Sequence, residues 1–253
     1  MLKQKTILIT GGGSGIGEAL VSNLSKDNKI IICGRNENKL QKVAGSNENV
    51  SYYVADVSVP EAIDELFRKI SVDGIVLDVV FNNAGVVELW DLNKDVFRSA
   101  QIFEKVNTNL SGPIAVIQQF ISQANKSVEN LIINVTSEVA LFPIPILPLY
   151  ATSKAGLRVF THALRTQLKN TNFKIVEILP PAIDTAMPKQ LGNTGKLVSA
   201  DAFAKSIISS INRGKSEFAP GANVPLLKLL SRFFPSAGLH FIDKMSRKQL
   251  QGL

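Results

Sequence analysis

Thr6-Ile7-Leu8-Ile9-Thr10-Gly11-Gly12-Gly13-Ser14-Gly15-Ile16-Gly17-Glu18 is the stretch that decides how this chain folds. Five apolar and β-branched residues read as a buried strand, which breaks off into glycines and re-emerges near Glu18 as a helix. Glycines permit positive φ and close backbone approach, and the helix N-terminus beyond them offers free N–H groups and positive partial charge. That combination suits a pyrophosphate. The spacing is Gly11-x-x-x-Gly15-x-Gly17. The general G-x-G-x-x-G pattern fails, because from Gly11 or Gly15 its third glycine falls on Ile16 or Leu20.

Outward from this turn, short apolar runs recur at Thr6–Thr10, Lys29–Cys33, Val50–Asp56, Leu77–Asn82, Asn130–Thr136, Lys174–Leu179 and Glu217–Ala219. Helical periodicity fills Gly15–Lys26, Pro60–Ser71, Ser99–Ala124, Leu149–Asn170 and Ala200–Arg213. Strands alternating with helices predict an α/β chain: one doubly wound Rossmann domain over residues 1–220, its seven-stranded parallel sheet covered by helices on both faces. Residues 221–253 form an extension expected on the same domain, a subunit or a membrane surface. Val86–Arg98 and Thr185–Ser199 fit neither pattern, and the second is expected to act as a mobile lid over the carboxyl ends of the strands.

With 253 residues, 45% hydrophobic and 19% charged, the chain is long and apolar enough to exclude disordered and fibrous classes. Cys33 is the single cysteine, which excludes an intrachain disulfide and a thiolate metal cluster, and suits a reducing compartment. No run of 18 uncharged apolar residues occurs, so a cytoplasmic protein is expected. The net charge of +7 is spread among 21 acidic residues, which argues against nucleic acid as a partner. His162 and His240 lack ligand-spaced companions, and no metal site is expected. The tail departs from this scatter: Lys228, Arg232, Lys244, Arg247 and Lys248 face only Asp243 and interleave with Leu226, Leu227, Leu229, Leu230, Phe233 and Phe234. An interfacial helix, a pocket cover and a subunit contact all fit that pattern.

The second strand ends Cys33-Gly34-Arg35-Asn36, about 20 residues beyond the glycines, where a dinucleotide fold reads the adenosine ribose. No acid stands between the end of this strand and Glu37, and Arg35 would meet a 2′-phosphate with a guanidinium. NADP is therefore expected over NAD.

Two further motifs, Asn82-Asn83-Ala84-Gly85 after the fourth strand and Tyr150-Ala151-Thr152-Ser153-Lys154 opening a helix, join Thr10 to Gly17 in a fixed order. The set resembles the classical short-chain dehydrogenase/reductase family and, within it, the bacterial DltE-like oxidoreductases. The resemblance implies a catalytic tetrad of Asn109, Ser137, Tyr150 and Lys154, and a cofactor site at Gly11, Ser14, Gly15, Ile16 and Gly17. It further implies that Asp56 and Val57 touch the adenine, and that Asn82, Asn83, Ala84 and Gly85 shape the cofactor floor. Lys154 would hold the nicotinamide ribose, and Pro180, Ile183 and Thr185 would border the nicotinamide. The family's usual Pro-Gly is here Pro180-Pro181, so this loop is expected to run differently. A homodimer or homotetramer built on Ser99–Ala124 and Leu149–Asn170 is likewise implied.

The chemistry of the set can be reasoned from the residues. Tyr150 and Lys154 are four apart and share one helical face, so an ammonium beside the phenol should lower its pKa and fit it for proton exchange with an alcohol or carbonyl. Pro113 offers no N–H to the carbonyl of Asn109, which predicts a kink and a carbonyl free to hold a relay water near Lys154. The apolar run Ala140–Leu147 suggests a substrate with an apolar body or a subunit contact. These residues point to NADP(H)-dependent hydride transfer between nicotinamide and a carbonyl or secondary alcohol. The alternative is a non-catalytic NADP-binding sensor.

Overall fold

The computed structural model describes residues 1–187 and 197–250. Strands β1 (Thr6–Thr10), β2 (Lys29–Gly34), β3 (Val50–Val54), β4 (Val79–Asn82), β5 (Asn130–Val135), β6 (Phe173–Ile178) and β9 (Glu217–Phe218) form one parallel sheet in the order β3-β2-β1-β4-β5-β6-β9. Register is set by alternation. Ile7, Ile9, Ile30 and Ile32 enter one core, while Leu8, Ile31 and Cys33 enter the other. Both faces are covered, so β1 and β2 read as continuous apolar runs rather than as alternating ones.

The first core packs against α1 (Gly15–Leu24) through Leu20 and Leu24, and against α7 (Ala200–Asn212) through Phe203, Ile207 and Ile211. On the opposite face, α3 (Pro60–Val72), α5 (Gly112–Gln123) and α6 (Pro148–Gln167) contribute Phe67, Ile117, Phe120 and Leu164. Phe67 and Phe120 are fully buried, and each such side chain stabilises the fold by about 1.5–3 kcal/mol. Chain order reverses between β1 and β4, which opens the crevice where a doubly wound sheet binds its ligand.

The helix expected over 99–124 is three pieces: α4 (Ser99–Val106), one π turn at Asn107–Ser111, and α5. The Gly112 N–H donates to the Asn107 carbonyl, so the break falls where Pro113 removes a donor. Gly112 is also required by packing, since a Cβ there would overlap the Val57 carbonyl. A helix absent from the periodicity reading, α2 (Glu37–Gly45), follows β2. Its signal was the cap, in which the Asn36 side chain accepts the Lys39 N–H at 3.0 Å; its two buried residues, Leu40 and Val43, make too thin a stripe to stand out.

The lid expectation for Thr185–Ser199 falls largely outside the described residues. Its ends are described: β7 (Ile183–Asp184) pairs with β8 (Val198–Ser199), bringing the two feet of the segment together. The extension folds into α8 (Val224–Phe233) and α9 (Pro235–Leu250). Val224 and Leu227 pack on Leu141 and Leu179, and Gly238 lies against Phe142 and Leu230. Leu141 and Phe142, part of the run that suggests a substrate wall or a subunit contact, are therefore covered by the chain's own tail.

Candidate active site

At the end of β1, Gly11 and Gly15 adopt φ of +67° and +58°. Gly11 donates to the Cys33 carbonyl at 2.8 Å, pinning the turn to β2. The Thr10 hydroxyl accepts the N–H groups of Asn83 and Ala84, each at 3.0 Å, and Asn83 Nδ2 donates to the Thr10 carbonyl at 2.9 Å. The ends of β1 and β4 are thus fastened at the crevice. A Cβ on Gly11 would lie 2.9 Å from Ala84 Cα, and one on Gly17 would overlap the Gly11 carbonyl oxygen. These glycines are dictated by close backbone approach. Ser14 caps α1 in an extended conformation without a side-chain bond to the helix, while the Ile16 side chain packs into the core. Thr185 Cγ2 stands 3.2 Å from the position a Gly15 Cβ would take, so the loop after β6 reaches the glycine turn despite Pro181. The Pro180 carbonyl accepts the Glu138 N–H at 3.2 Å, and Ile183 is buried.

At the adenosine end, Arg35 is half exposed and has acquired acidic company that its position in the chain did not reveal. Its Nη1 donates to Glu104 Oε1 at 2.8 Å and lies 3.9 Å from Asp56 Oδ2. Asp56 Oδ1 accepts both the N–H and the hydroxyl of Ser58, at 2.9 and 2.8 Å. Val57 is buried. Lys39, an exposed lysine at the start of α2, brings its Cβ to 3.2 Å from the position a Gly13 Cβ would take, so its stem borders the turn.

The four expected catalytic side chains meet on the far side of Gly85. Pro148 starts α6, Tyr150 follows in its first turn, and Lys154 comes one turn later with its Nζ 5.9 Å from the Tyr150 ring centre. Ser137, at the exit of β5, accepts the Val139 N–H at 3.3 Å and stands close enough to the Tyr150 phenol to draw its pKa down. Lys154 is only 3% exposed and donates to the Val135 carbonyl at 2.9 Å. Asn109 Oδ1 accepts the Val86 N–H at 3.0 Å and its Nδ2 donates to the Val86 carbonyl at 2.8 Å. A Cβ on Gly85 would stand 3.2 Å from Asn109 Oδ1 and 3.5 Å from Lys154 Nζ, so this glycine keeps the space between them open. Asn82, expected in the cofactor floor, instead joins a buried network, donating to Asn134 Oδ1 at 2.9 Å and to the Pro113 carbonyl at 3.2 Å.

One electrostatic expectation is corrected. Burial pushes Tyr150 up to about 12, with only the Ser137 hydrogen bond pulling the other way, and burial pushes Lys154 down to about 8. Desolvation outweighs the attraction expected from i,i+4 spacing, because both groups leave water and the ammonium spends a hydrogen bond on Val135 rather than on the phenol.

The segment Val86–Arg98, unreadable by periodicity, forms a wall of this site. Val86, Glu88, Trp90, Phe97, Lys105 and Leu149 line a small cavity with Asn109 and Tyr150. The Trp90 backbone N–H donates to the Ile146 carbonyl at 3.2 Å and the Trp90 ring meets Phe97 edge to face at 4.9 Å, while Glu88 pairs with Lys105. No period marks these residues, since a loop is held by contacts and not by repeats.

His162, read as isolated, sits 3.0 Å from Glu177 Oε2, and Glu217 completes a three-residue cluster. Arg158 stands between the two carboxylates, its Nη1 2.5 Å from Glu177 and 3.3 Å from Glu217. The guanidinium takes the place a cation would need.

The short chain dehydrogenase profile matches residues 5–196 of this sequence. The chain belongs to that family. The uncharacterized oxidoreductase DltE of Bacillus subtilis is 29% identical over 221 residues, 85% of this chain and 88% of the relative. The uncharacterized oxidoreductase MW2403 of Staphylococcus aureus is 30% identical over 193 residues, covering 74% and 81%. Among solved structures, a short chain dehydrogenase from Burkholderia cenocepacia in complex with NADP superposes with a TM-score of 0.81 at 20% identity, over 96% of this chain and 98% of its own. Another, from Burkholderia phymatum in complex with NAD, gives 0.82 at 20% identity, over 90% and 93%. The fold is shared with both, and a short-chain dehydrogenase is an oxidoreductase.

Proposed function

We propose that this short-chain dehydrogenase uses NADP(H) to interconvert a carbonyl and a secondary alcohol on a small molecule with an apolar body, in the cytoplasm and as a homodimer or homotetramer. The observation that carries the reading is the convergence of Ser137, Tyr150 and Lys154 at the carboxyl ends of β5 and the start of α6, across Gly85 from the glycine turn. The turn suits a dinucleotide: Gly11 and Gly15 take positive φ and carry no side chain, and Ser14 keeps its hydroxyl free of the helix. Ser14, Gly15, Ile16 and Gly17 would hold the pyrophosphate through backbone N–H groups on a turn that Gly11 pins to β2, Arg35 and Lys39 the 2′-phosphate, and Asp56 and Val57 the adenine edge. Asn83, Ala84 and Gly85 would form the floor, with Pro180, Ile183 and Thr185 beside the nicotinamide.

When bound, the nicotinamide supplies hydride transfer. The hydroxyls of Ser137 and Tyr150 converge on one substrate oxygen, Ser137 orienting it and Tyr150 giving or taking the proton there. A phenol held protonated at neutral pH is in the form that carbonyl reduction consumes. Lys154 carries its ammonium below about pH 8, where it can bind ribose hydroxyls and stabilise a transient phenolate. Asn109 positions the Val86 backbone, and its carbonyl in the π turn is suited to hold a water that returns protons through Lys154. Phe103 and Val159, strongly exposed on α4 and α6, support a subunit contact through these helices.

NADPH and NADH consumption across a panel of aldehydes, ketones and quinones tests the reading, with Tyr150→Phe as control. Turnover with NADPH that falls by roughly 10²-fold or more in the variant is expected. Tight NADPH binding without turnover on any carbonyl would favour a sensor, and equal use of NADH would remove the role given to Arg35.

A further inference from the structure

The helix pair at the C-terminus carries a face that nothing in the catalytic reading uses. α8 and α9 turn Val224, Leu227, Gly238 and Ile242 towards the domain. On the outer side, Leu226, Leu229, Phe233, Phe234 and Leu239 are between 42% and 60% exposed. Leu226, Leu229 and Phe233 fall at i, i+3 and i+7, one stripe of a single helix. A soluble surface scatters its exposed apolar residues singly, whereas Leu226, Leu229 and Phe233 share one helix face.

The stripe is edged by a cation, while the other cation of α8 is held inward. Arg232 lies 5.5 Å from the Phe233 ring, and Lys228 stands one turn before it, paired with Glu217 on the domain. α8 contains no acidic residue, and the sequence continues with Lys244, Arg247 and Lys248 against Asp243. A second copy packed α8 against α8 would press Arg232 onto a helix that has no carboxylate to meet it, an arrangement that opposes pairing. An anionic lipid surface satisfies both properties at once, taking the leucines and phenylalanines at the acyl boundary and the cations among the headgroups. No described helix is long and apolar enough to cross a membrane, which leaves a helix lying in the interface.

We propose that α8 and α9 dock this protein on an anionic bilayer through the Leu226, Leu229, Phe233, Phe234 and Leu239 face. The position in the fold gives the docking a use. α8 packs on Leu141 and α9 on Phe142, four and five residues beyond Ser137, so the docked face stands on the loop that leaves the catalytic strand. The substrate clause of the proposal rests on the oxidoreductase reading above: an apolar carbonyl or alcohol dissolved in the lipid would enter beside Tyr150.

The test is flotation of the full chain with vesicles of phosphatidylglycerol and phosphatidylcholine, against vesicles of phosphatidylcholine alone, at low and high salt. Binding to the anionic vesicles is expected to exceed that to the neutral ones by tenfold or more and to weaken with salt. Arg232→Gln should lower the partition coefficient roughly fivefold, and Leu229→Glu with Phe233→Glu should abolish binding. All three positions are exposed, so the thermal midpoint and NADPH affinity should stay at wild-type values. Equal binding to both vesicles, or no loss in the Leu229/Phe233 variant, overturns the proposal. So does a wild-type particle mass in light scattering that drops in that variant, which would make the face a contact between copies. Because flotation needs no turnover, an inactive protein that still binds lipid would refute the oxidoreductase reading and leave the docking intact.

Discussion

Replacing Lys154 by Met should change the shape of the stability profile with pH, and the size of the change follows from the burial of one ammonium. Lys154 is 3% exposed and held at about pH 8 against an ordinary 10.5, with desolvation as the cause. The folded chain therefore holds the lysine proton less tightly than the unfolded chain does. Between pH 8 and 10.5 the unfolded chain binds more protons than the folded one, so stability rises with pH across that window and the destabilisation is fully present below it. With these two values, the wild type should gain about 2.5 kcal/mol relative to Lys154→Met between pH 7 and pH 10, from 1.36 kcal/mol per unit weighted by the fraction titrated. Tyr150, raised to about 12, pulls oppositely: the unfolded chain ionises first above pH 10, so stability falls between 10 and 12. Both proteins retain Tyr150, and the difference between their profiles isolates the lysine. Urea midpoints at fixed protein concentration from pH 7 to 10 measure it. Parallel profiles would show that Lys154 is solvated or charge-paired in solution and would refute the account of the site as a desolvated pocket.

Three other outcomes follow from the geometry. Gly17→Ala should destabilise the fold by about 1–3 kcal/mol and weaken dinucleotide binding more than tenfold, since its Cβ would overlap the Gly11 carbonyl; thermal melts and cofactor titration read both. Arg35→Ala should weaken NADPH but not NADH, whereas Glu104→Gln should tighten NADPH about 1.4- to 5-fold. The second effect follows because an ion pair between groups 51% and 45% exposed is worth about 0.2–1 kcal/mol, which a 2′-phosphate need no longer displace; unchanged NADPH affinity in both variants would detach Arg35 from cofactor choice. Asn109→Ala leaves the Val86 N–H and carbonyl without partners, so about 1–3 kcal/mol of stability should be lost, and KM should rise as the wall bearing Trp90 loosens.

The sequence by itself determined the sheet, the glycine turn and the place of the kink, because each rests on neighbours in the chain. Apolar runs buried on two faces mark strands, positive-φ positions mark Gly11 and Gly15, and a missing donor at Pro113 opens a π turn at Asn107–Ser111. The order of Thr10 to Gly17, Asn82 to Gly85 and Tyr150 to Lys154 likewise carries the family in the chain alone. What only the tertiary structure decided are energies and pairings between elements far apart in sequence. Arg35 meets Glu104 across 69 residues, Trp90 hangs from Ile146, and His162 joins Glu177 and Glu217 around Arg158. The tyrosine and lysine show the division most clearly. Their i,i+4 spacing was legible, but the sign of their perturbation was not, since desolvation depends on the strands, helices and tail that close over them, and no local spacing records that enclosure.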